Sequence, residues 1–504
     1  MNKKIIFVLV LLFILVVLIW HNCSIRPWML DDSFISFRYA ENFAAGHGFV
    51  FNPGERVEGY TTFLWVLILG VGKVLGLKVV SLSQILGAFF SIGTILLLMF
   101  AHRFSSRISF PASMLAALFL GTCGVFTPWL SSGMEVSLFT FLVLLSLLYH
   151  LFLSEKEMPS IRQLLILGVY LSLGSLTRPE GLLIAGLVLV ARLLKGRTTG
   201  WRNFSLAFLS FAGIYLPYFA WRLLYYGYLL PNTFYTKVGS NADQVARGIV
   251  YLQDFLSPAF LLSAIALIPF LTLRWFRVFR KLSLIPIVLF IYTAYIVVVG
   301  GDIMPAFRFF TPLLPLLCLL SAISLVSLPG PKKAVAIVGL IISLAVVAYN
   351  LHEIKHDFYL YYKIQIDQVA SRGREVGIWL RLNSRANEVL ATNTAGSIPY
   401  YSRLKTIDML GLNDLHIAHR PIADLGKGQA GHEKGDGVYV LSRRPDYVHM
   451  GSSLGSVRPD HDFLSDEEIF SQPVFHQLYE LKTISLPSGN ILNIYRKKKL
   501  LLQD

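Results

Sequence analysis

Cysteine is nearly absent. The three in 504 residues, Cys23, Cys123 and Cys318, lie far apart, two of them inside apolar runs, so neither a disulfide framework nor a zinc pattern can be assembled from them. Charge is sparse too. Asp, Glu, Lys and Arg make up 15% of the chain against 55% hydrophobic residues, which excludes a soluble multidomain protein and reads as a polytopic membrane protein. Acidic residues are the scarcer sign, 30 against 45 basic ones, for a net charge of +15. The basic residues fall in short gaps between apolar runs rather than on one amphipathic face. Membrane topology accounts for them, and nucleic acid is not an expected partner. No Walker loop or dinucleotide fingerprint occurs, so a nucleotide-powered reaction has no support. His352, His356, His416, His419, His432 and His449 are dispersed and form no zinc set. No tandem repeat is evident.

Long apolar runs are what the chain has in quantity. A bilayer core of about 30 Å takes roughly 20 helical residues, and about eleven runs qualify, near 5–20, 81–101, 109–126, 134–153, 162–176, 180–194, 203–222, 255–273, 282–299, 309–328 and 334–350. The first resembles a signal peptide, but no small-residue cleavage site follows, so it reads as a retained span. The run at 62–77 is ambiguous. Taking it as juxtamembrane or re-entrant on the outer side puts MNKK, HRFSSR, SEKEMPSIR, Arg192 to Arg202, RWFRVFRK and PGPKK on the inner side. Each carries Lys or Arg, as the positive-inside rule requires. The amino terminus is then cytoplasmic and the carboxyl terminus extracytoplasmic.

After about residue 351 the apolar runs stop. Residues 1–350 form the membrane domain, with 21–80 as first outer loop and juxtamembrane helices, and 351–504 form a soluble α/β extracytoplasmic domain. There EVLATNTAGSIPYYSRLKTIDMLGLND alternates two strand-like runs around a small-residue turn, and GVYVLSRRPDYVHM reads as a strand followed by a turn.

The unusual residues collect in the outer loops. Asp31 to Thr62, DDSFISFRYAENFAAGHGFVFNPGERVEGYTT, places Asp31 and Asp32 side by side behind an apolar run. An unpartnered carboxylate there costs on the order of several kcal/mol. Three readings of the pair stand: a general base that takes a proton from an incoming hydroxyl, two oxygen ligands for a divalent metal, or an N-cap for a helix starting at Ser33. Glu135 in SSGMEV opens a span, where the helix dipole alone can explain it. Arg178 in TRPEG breaks the charge rule and has the geometry to bind phosphate. Asp302 and Arg308 in GGDIMPAFRFF form a membrane-edge couple that a structural salt bridge also explains. Lys237 in PNTFYTK sits among aromatics, as interfacial anchors do.

With these motifs laid out, the chain resembles the GT-C superfamily of polytopic glycosyltransferases, and within it the AftB-like terminal arabinofuranosyltransferase group. DDSFISFRYAENFAAGHGFVFNPGERVEGYTTFLW carries the resemblance, and SSGMEVSLF, LTRPEG, PNTFYTK, GGDIMPAFRFF and AGSIPYYSRLKTIDMLGLND follow in the same order. The resemblance implies inverting transfer of a sugar from a polyprenyl-phosphate donor to a glycan or lipid acceptor outside the membrane, with Asp31 or Asp32 as base. It also implies an outer domain that touches the acceptor. On this reading Arg178, Lys237 and Arg308 are candidates for the donor phosphate, and Arg38, Asn52, Glu58, Tyr60, Glu135, Asn232 and Asp302 for sugar or acceptor. The lipid-linked donor is the expected co-substrate, an apolar groove between spans would hold its tail, and a divalent metal stays open. The expected location is the bacterial inner membrane. Two rivals remain: a transporter or lipid flippase, for which the sequence offers no inverted repeat with broken helices, and a non-catalytic envelope glycan assembly factor.

Overall fold

A computed structural model describes residues 2–25, 28–239, 241–268, 282–356, 368–422 and 425–498. The expected inner loop RWFRVFRK, the far end of the run at 255–273 and the last residues of the basic tail lie outside these. In chain order the helices of the first half are α1 (Lys3–Ser24), α2 (Asp31–Ala44), α3 (Phe63–Val74), α4 (Val79–Met99), α5 (Phe110–Thr122), α6 (Val136–Ser154), α7 (Ile161–Thr177), α8 (Gly181–Leu193) and α9 (Arg197–Tyr226). There follow α10 (Asn232–Lys237), α11 (Ala242–Leu256), α12 (Phe260–Leu267), α13 (Leu284–Val298), α14 (Leu314–Val326), α15 (Lys332–His356), α16 (Val369–Asn383), α17 (Ser397–Ser402), α18 (Leu415–His419), α19 (Gly437–Ser442), α20 (Leu464–Ser471) and α21 (Pro473–Leu478).

Among the described residues five helices are long and apolar enough to cross a membrane: α1, α4, α6, α9 and α15. Six further apolar helices are shorter. The run at 62–77 becomes α3, whose 12 residues reach about 18 Å, short of a bilayer core. The run at 255–273 departs from the expectation of an unbroken span. It starts at the end of α11, and α11 and α12 meet at a 93° bend, where Pro258 withholds a backbone N–H.

The chain divides into two compact units. The first takes in Met1–Arg26, Ser83–Trp221 and Gly248–Ile366. Inside it α5 packs on α1 and α14, and α7 on α6 and α8. Small residues set the close approaches, as they do where lipid supplies no hydrophobic drive. A Cβ on Gly168 would lie 2.4 Å from the Ala207 carbonyl oxygen, and one turn on, Ser172 Oγ donates to the Phe211 carbonyl at 3.1 Å.

The second unit joins Pro27–Leu82, Arg222–Arg247 and Asp367–Asp504. Its sheet has the order β2-β1-β3-β5-β4, with β1 (Val389–Thr392), β2 (Lys405–Asp408), β3 (Tyr447–His449), β4 (Tyr479–Ser485) and β5 (Ile491–Lys497). β2, β1 and β3 run parallel, and the β4–β5 hairpin completes the sheet antiparallel. Alternation sends neighbouring side chains to opposite faces. Ala391, Ile407 and Val448 join one core cluster, and Leu390, Tyr447 and Ile494 the other. GVYVLS, read above as a strand, is helix α19. Asp436 overrides the β-branched composition by accepting the Tyr439 N–H at 2.9 Å as an N-cap, and the strand comes later, at Tyr447.

Candidate functional site

In the second unit the acidic pair opens a helix. α2 starts at Asp31 itself and its N-cap is Leu30, with no side-chain cap bond, which corrects the expectation of an aspartate capping a helix from Ser33. Both carboxylates sit in the first turn, where the free N–H groups favour negative charge. Asp31 instead reaches the far end of the sequence. Its Oδ2 accepts the Gly396 N–H at 2.9 Å and its Oδ1 the Ser397 N–H at 2.8 Å, and the Ser397 hydroxyl donates to Oδ1 as well. Asp31 therefore caps α17, not its own helix. The approach requires glycine, since a Cβ on Gly396 would lie 2.0 Å from the Asp31 carbonyl oxygen. Burial pushes the Asp31 carboxyl up to about 6; the bonds from Ser397 and Gly396 oppose the rise and the neighbouring Asp32 adds to it.

Arg38, one helical face along, fixes the same docking. Its Nε donates to the Phe51 carbonyl at 2.7 Å, Nη1 to Pro399 at 2.6 Å, and Nη2 to Leu404 at 2.8 Å and Asn52 Oδ1 at 3.0 Å. Asn52 in turn bonds both the N–H and the carbonyl of Thr406. Glu58 is paired with Arg222, Nη2 to Oε2 at 2.6 Å. Tyr60 and Tyr226 share a hydroxyl contact at 3.1 Å. Asn232 donates to the Gly411 and Leu412 carbonyls at 2.8 and 3.0 Å. Of these five expected sugar-facing positions, all buried, Arg38, Asn52 and Asn232 bond residues between 399 and 412, while Glu58 and Tyr60 meet Arg222 and Tyr226 of α9. Lys237, half-buried at the end of α10, has no hydrogen-bond or ion-pair partner among the described residues.

The first unit holds the other expected residues. Arg178 Nη1 donates to Glu135 Oε1 at 2.5 Å and Nη2 to Glu180 Oε1 at 2.8 Å. Arg308 Nε donates to Asp302 Oδ2 at 2.7 Å. The Phe309 ring lies 5.3 Å from each guanidinium carbon, so the two pairs form one cluster. Three carboxylates against two guanidinium groups leave it one negative charge in excess. The chain leading into Arg308 is strained: Ala306 and Phe307 have φ of 57° and 49°, each costing about 1–2 kcal/mol, and Trp129 Nε1 holds the Ala306 carbonyl at 3.1 Å. The same unit contains a cavity of about 420 Å³, lined by Phe255, Leu256, Leu267, Leu289, Phe310 and Leu317 among other apolar side chains. Among the described residues no three His, Cys, Asp or Glu side chains converge as a metal set.

Sequence reasoning missed Gly396, Ser397 and Arg222. An arginine ending an apolar run was a visible signal for Arg222. The other two lie in the small-residue turn of AGSIPYYS noted above, but nothing there pointed to Asp31.

The fold matches those of several solved structures. It is similar to a solved structure of ArnT from Cupriavidus metallidurans bound to undecaprenyl phosphate, with a TM-score of 0.57 and 15% identity over 79% of this chain and 85% of that one. It is also similar to the archaeal oligosaccharyltransferase AglB from Archaeoglobus fulgidus in complex with an inhibitory peptide and a dolichol-phosphate, with a TM-score of 0.53 and 13% identity over 98% and 74%. Part of the chain is also similar in sequence to curated arabinofuranosyltransferases. A terminal beta-(1->2)-arabinofuranosyltransferase of Mycobacterium tuberculosis is 32% identical over 251 residues, 46% of this chain and 38% of the relative. The chain thus covers well under half of that relative's length. Residues 359–495 match a family described as a domain of unknown function, DUF8728.

Proposed function

We propose that the protein is an integral-membrane glycosyltransferase that moves a sugar of arabinofuranose-like class from a polyprenyl-phosphate donor to a cell-envelope glycan or lipid acceptor. Its place is the bacterial plasma membrane, with about eleven spans and the carboxyl-terminal domain outside. The acceptor oxygen attacks the anomeric carbon with inversion, its proton passes to an aspartate, and the carbon–oxygen bond to phosphate breaks with its electron pair leaving on polyprenyl phosphate. The observation that carries the assignment is the threefold hold on Asp31. Both Asp31 oxygens already accept from two N–H groups and a hydroxyl, which occupies the lone pairs an incoming hydroxyl would meet, so we assign the base to Asp32 and its positioning to Asp31.

The ligands of the two solved neighbours, undecaprenyl phosphate and a dolichol-phosphate, support the donor class. The apolar cavity of the first unit suits an isoprenoid tail. Lys237, which lacks a carboxylate partner among the described residues, is the better phosphate candidate, because the Arg178 and Arg308 cluster is already paired and carries excess negative charge.

The test uses the full chain in membranes, with Asp31→Asn and Asp32→Asn made separately. Asp32→Asn should lower release of polyprenyl phosphate by about 10²–10⁴-fold, and Asp31→Asn by less. Full activity of Asp32→Asn at wild-type expression removes the base assignment. The break between α11 and α12 is the one observation that favours a transport reading. Lipid flipping by reconstituted vesicles without acceptor would establish that reading instead.

A further inference from the structure

We infer that Tyr228, on the loop between α9 and α10, stacks against a sugar ring of a glycan acceptor, one hydroxyl of that sugar filling a small pocket beside it. The inference rests on the glycosyltransferase reading above and deepens it, choosing a glycan over a lipid as the acceptor.

The pocket lies wholly within the second unit. Arg56 and Glu58 of the first loop, Tyr226, Tyr228 and Asn232 from the end of α9 to the start of α10, and Leu415 of α18 line it. Its volume of about 10 Å³ has room for one water-sized group. Chemistry narrows what that group can be. One guanidinium and one carboxylate line the pocket, so neither an anion nor a cation gains by entering, and the carboxylate is itself paired, Arg222 Nη2 to Glu58 Oε2 at 2.6 Å. Asn232 supplies an acceptor. Its Nδ2 donates to the carbonyls of Gly411, Leu412 and Asp414 at 2.8, 3.0 and 3.2 Å, which fixes the orientation of the amide and leaves Oδ1 with no donor among the described residues. The side chain is 3% exposed, and a buried acceptor without a donor costs stability until one arrives. Arg56 supplies donors: its guanidinium lies over the Tyr225 ring at 4.7 Å and has no carboxylate partner among the described residues. A neutral, water-sized group that both donates and accepts is a hydroxyl.

The rim shows what carries that hydroxyl. Tyr228 is 38% exposed, and its ring is backed by His419 at 5.0 Å and Tyr235 at 6.3 Å, which are themselves 4.4 Å apart. His419 donates its Nδ1–H to the Leu415 carbonyl at 2.9 Å, tying the aromatic cluster to the wall of the pocket. An aromatic ring offers a negative face, which the weakly positive C–H groups of a sugar ring match. The hydroxyl that attacks is spent on the reaction. A further hydroxyl for the pocket is what a glycan has and a lipid chain lacks.

The experiment titrates purified full chain in lipid nanodiscs, without donor, with a linear arabinofuranose oligosaccharide and separately with a linear mannose oligosaccharide. The wild type should bind one of them, and Tyr228→Ala should weaken that binding about three- to tenfold. Tyr228→Phe, which keeps the ring, should bind as the wild type does. Leu415→Phe, which fills the pocket and removes no polar group, should bind as weakly as Tyr228→Ala. Heat-unfolding curves of the three variants separate these effects from loss of fold. In turnover with the matching undecaprenyl-phosphate sugar, Tyr228→Ala should raise the glycan KM by the same factor and leave kcat and the donor KM unchanged. A wild type that binds neither oligosaccharide, undiminished binding by Tyr228→Ala or Leu415→Phe, a loss in Tyr228→Phe as large as in Tyr228→Ala, or a rise in donor KM instead of glycan KM overturns the inference. Release of undecaprenyl phosphate by the wild type in any of those cases leaves the glycosyltransferase reading standing. Ring-dependent glycan binding by a wild type that consumes no donor sinks that reading and leaves the sugar site.

Discussion

Replacing Arg38 with methionine removes the guanidinium while keeping the bulk of the side chain. Arg38 is 7% exposed, and its four hydrogen bonds run from 2.6 to 3.0 Å. A bond from a charged donor contributes about 1.5–3 kcal/mol. Simple addition overstates the loss, since Asn52 keeps its bonds to Thr406 and neighbouring bonds are not independent. A loss of about 4–6 kcal/mol is expected, because three buried carbonyls are left without this donor. For a unit of this size each kcal/mol lowers the unfolding temperature by about 2–4 °C, so Arg38→Met should unfold roughly 10–20 °C below the wild type. The assay is the fraction of detergent-solubilised full chain that stays monomeric by size exclusion after stepwise heating. Arg38→Lys should recover little, because one ammonium cannot span acceptors on two separate segments. A midpoint for Arg38→Met within about 3 °C of the wild type would refute the idea that this arginine docks the first loop.

Burial raises both Asp408 and Asp466 to about 6. Between the unfolded value near 4 and that point the native state binds more protons than the unfolded chain, so these groups take stability away as pH rises through the window. Asp466→Asn should therefore gain on the wild type in unfolding temperature from about pH 4 to above pH 6, and a gap that shrinks counts against the buried carboxylate. In the first unit, Glu135→Gln leaves Arg178 its bonds to Glu180 and should cost about 1–3 kcal/mol. Arg178→Met strands two buried carboxylates and should cost more, about 3–5 kcal/mol; equal heat stability of the two variants would contradict the cluster.

The first loop was legible because polar and ionisable residues behind an apolar run are costly unless something uses them, and DDSFISF and NPGERVEGY both fall there. The membrane class and the polar carboxyl-terminal part were legible from hydropathy alone. What Asp31 holds was not. Its partners are 365 and 366 residues away, and no local pattern encodes a tertiary contact of that range. GVYVLS misled for a different reason: valine and tyrosine favour strands, but a single preceding aspartate supplied the helix start. Four of the seven expected sugar- or acceptor-binding positions have internal partners that no local pattern announced. Arg38, Asn52, Glu58 and Asn232 have the right chemistry for hydroxyls, and in the folded chain that chemistry is met by backbone carbonyls, a threonine and Arg222.

The second unit is sewn from three stretches of sequence, and this orders events during synthesis. At ribosomal rates of about 5–20 residues per second, Asp31 emerges roughly 20–70 s before Gly396 and Ser397. Through that interval the first loop waits without the clasp that holds Asp31. A nascent or prematurely terminated chain therefore holds Asp31 without these three donors until the late-made segment closes on the early helix.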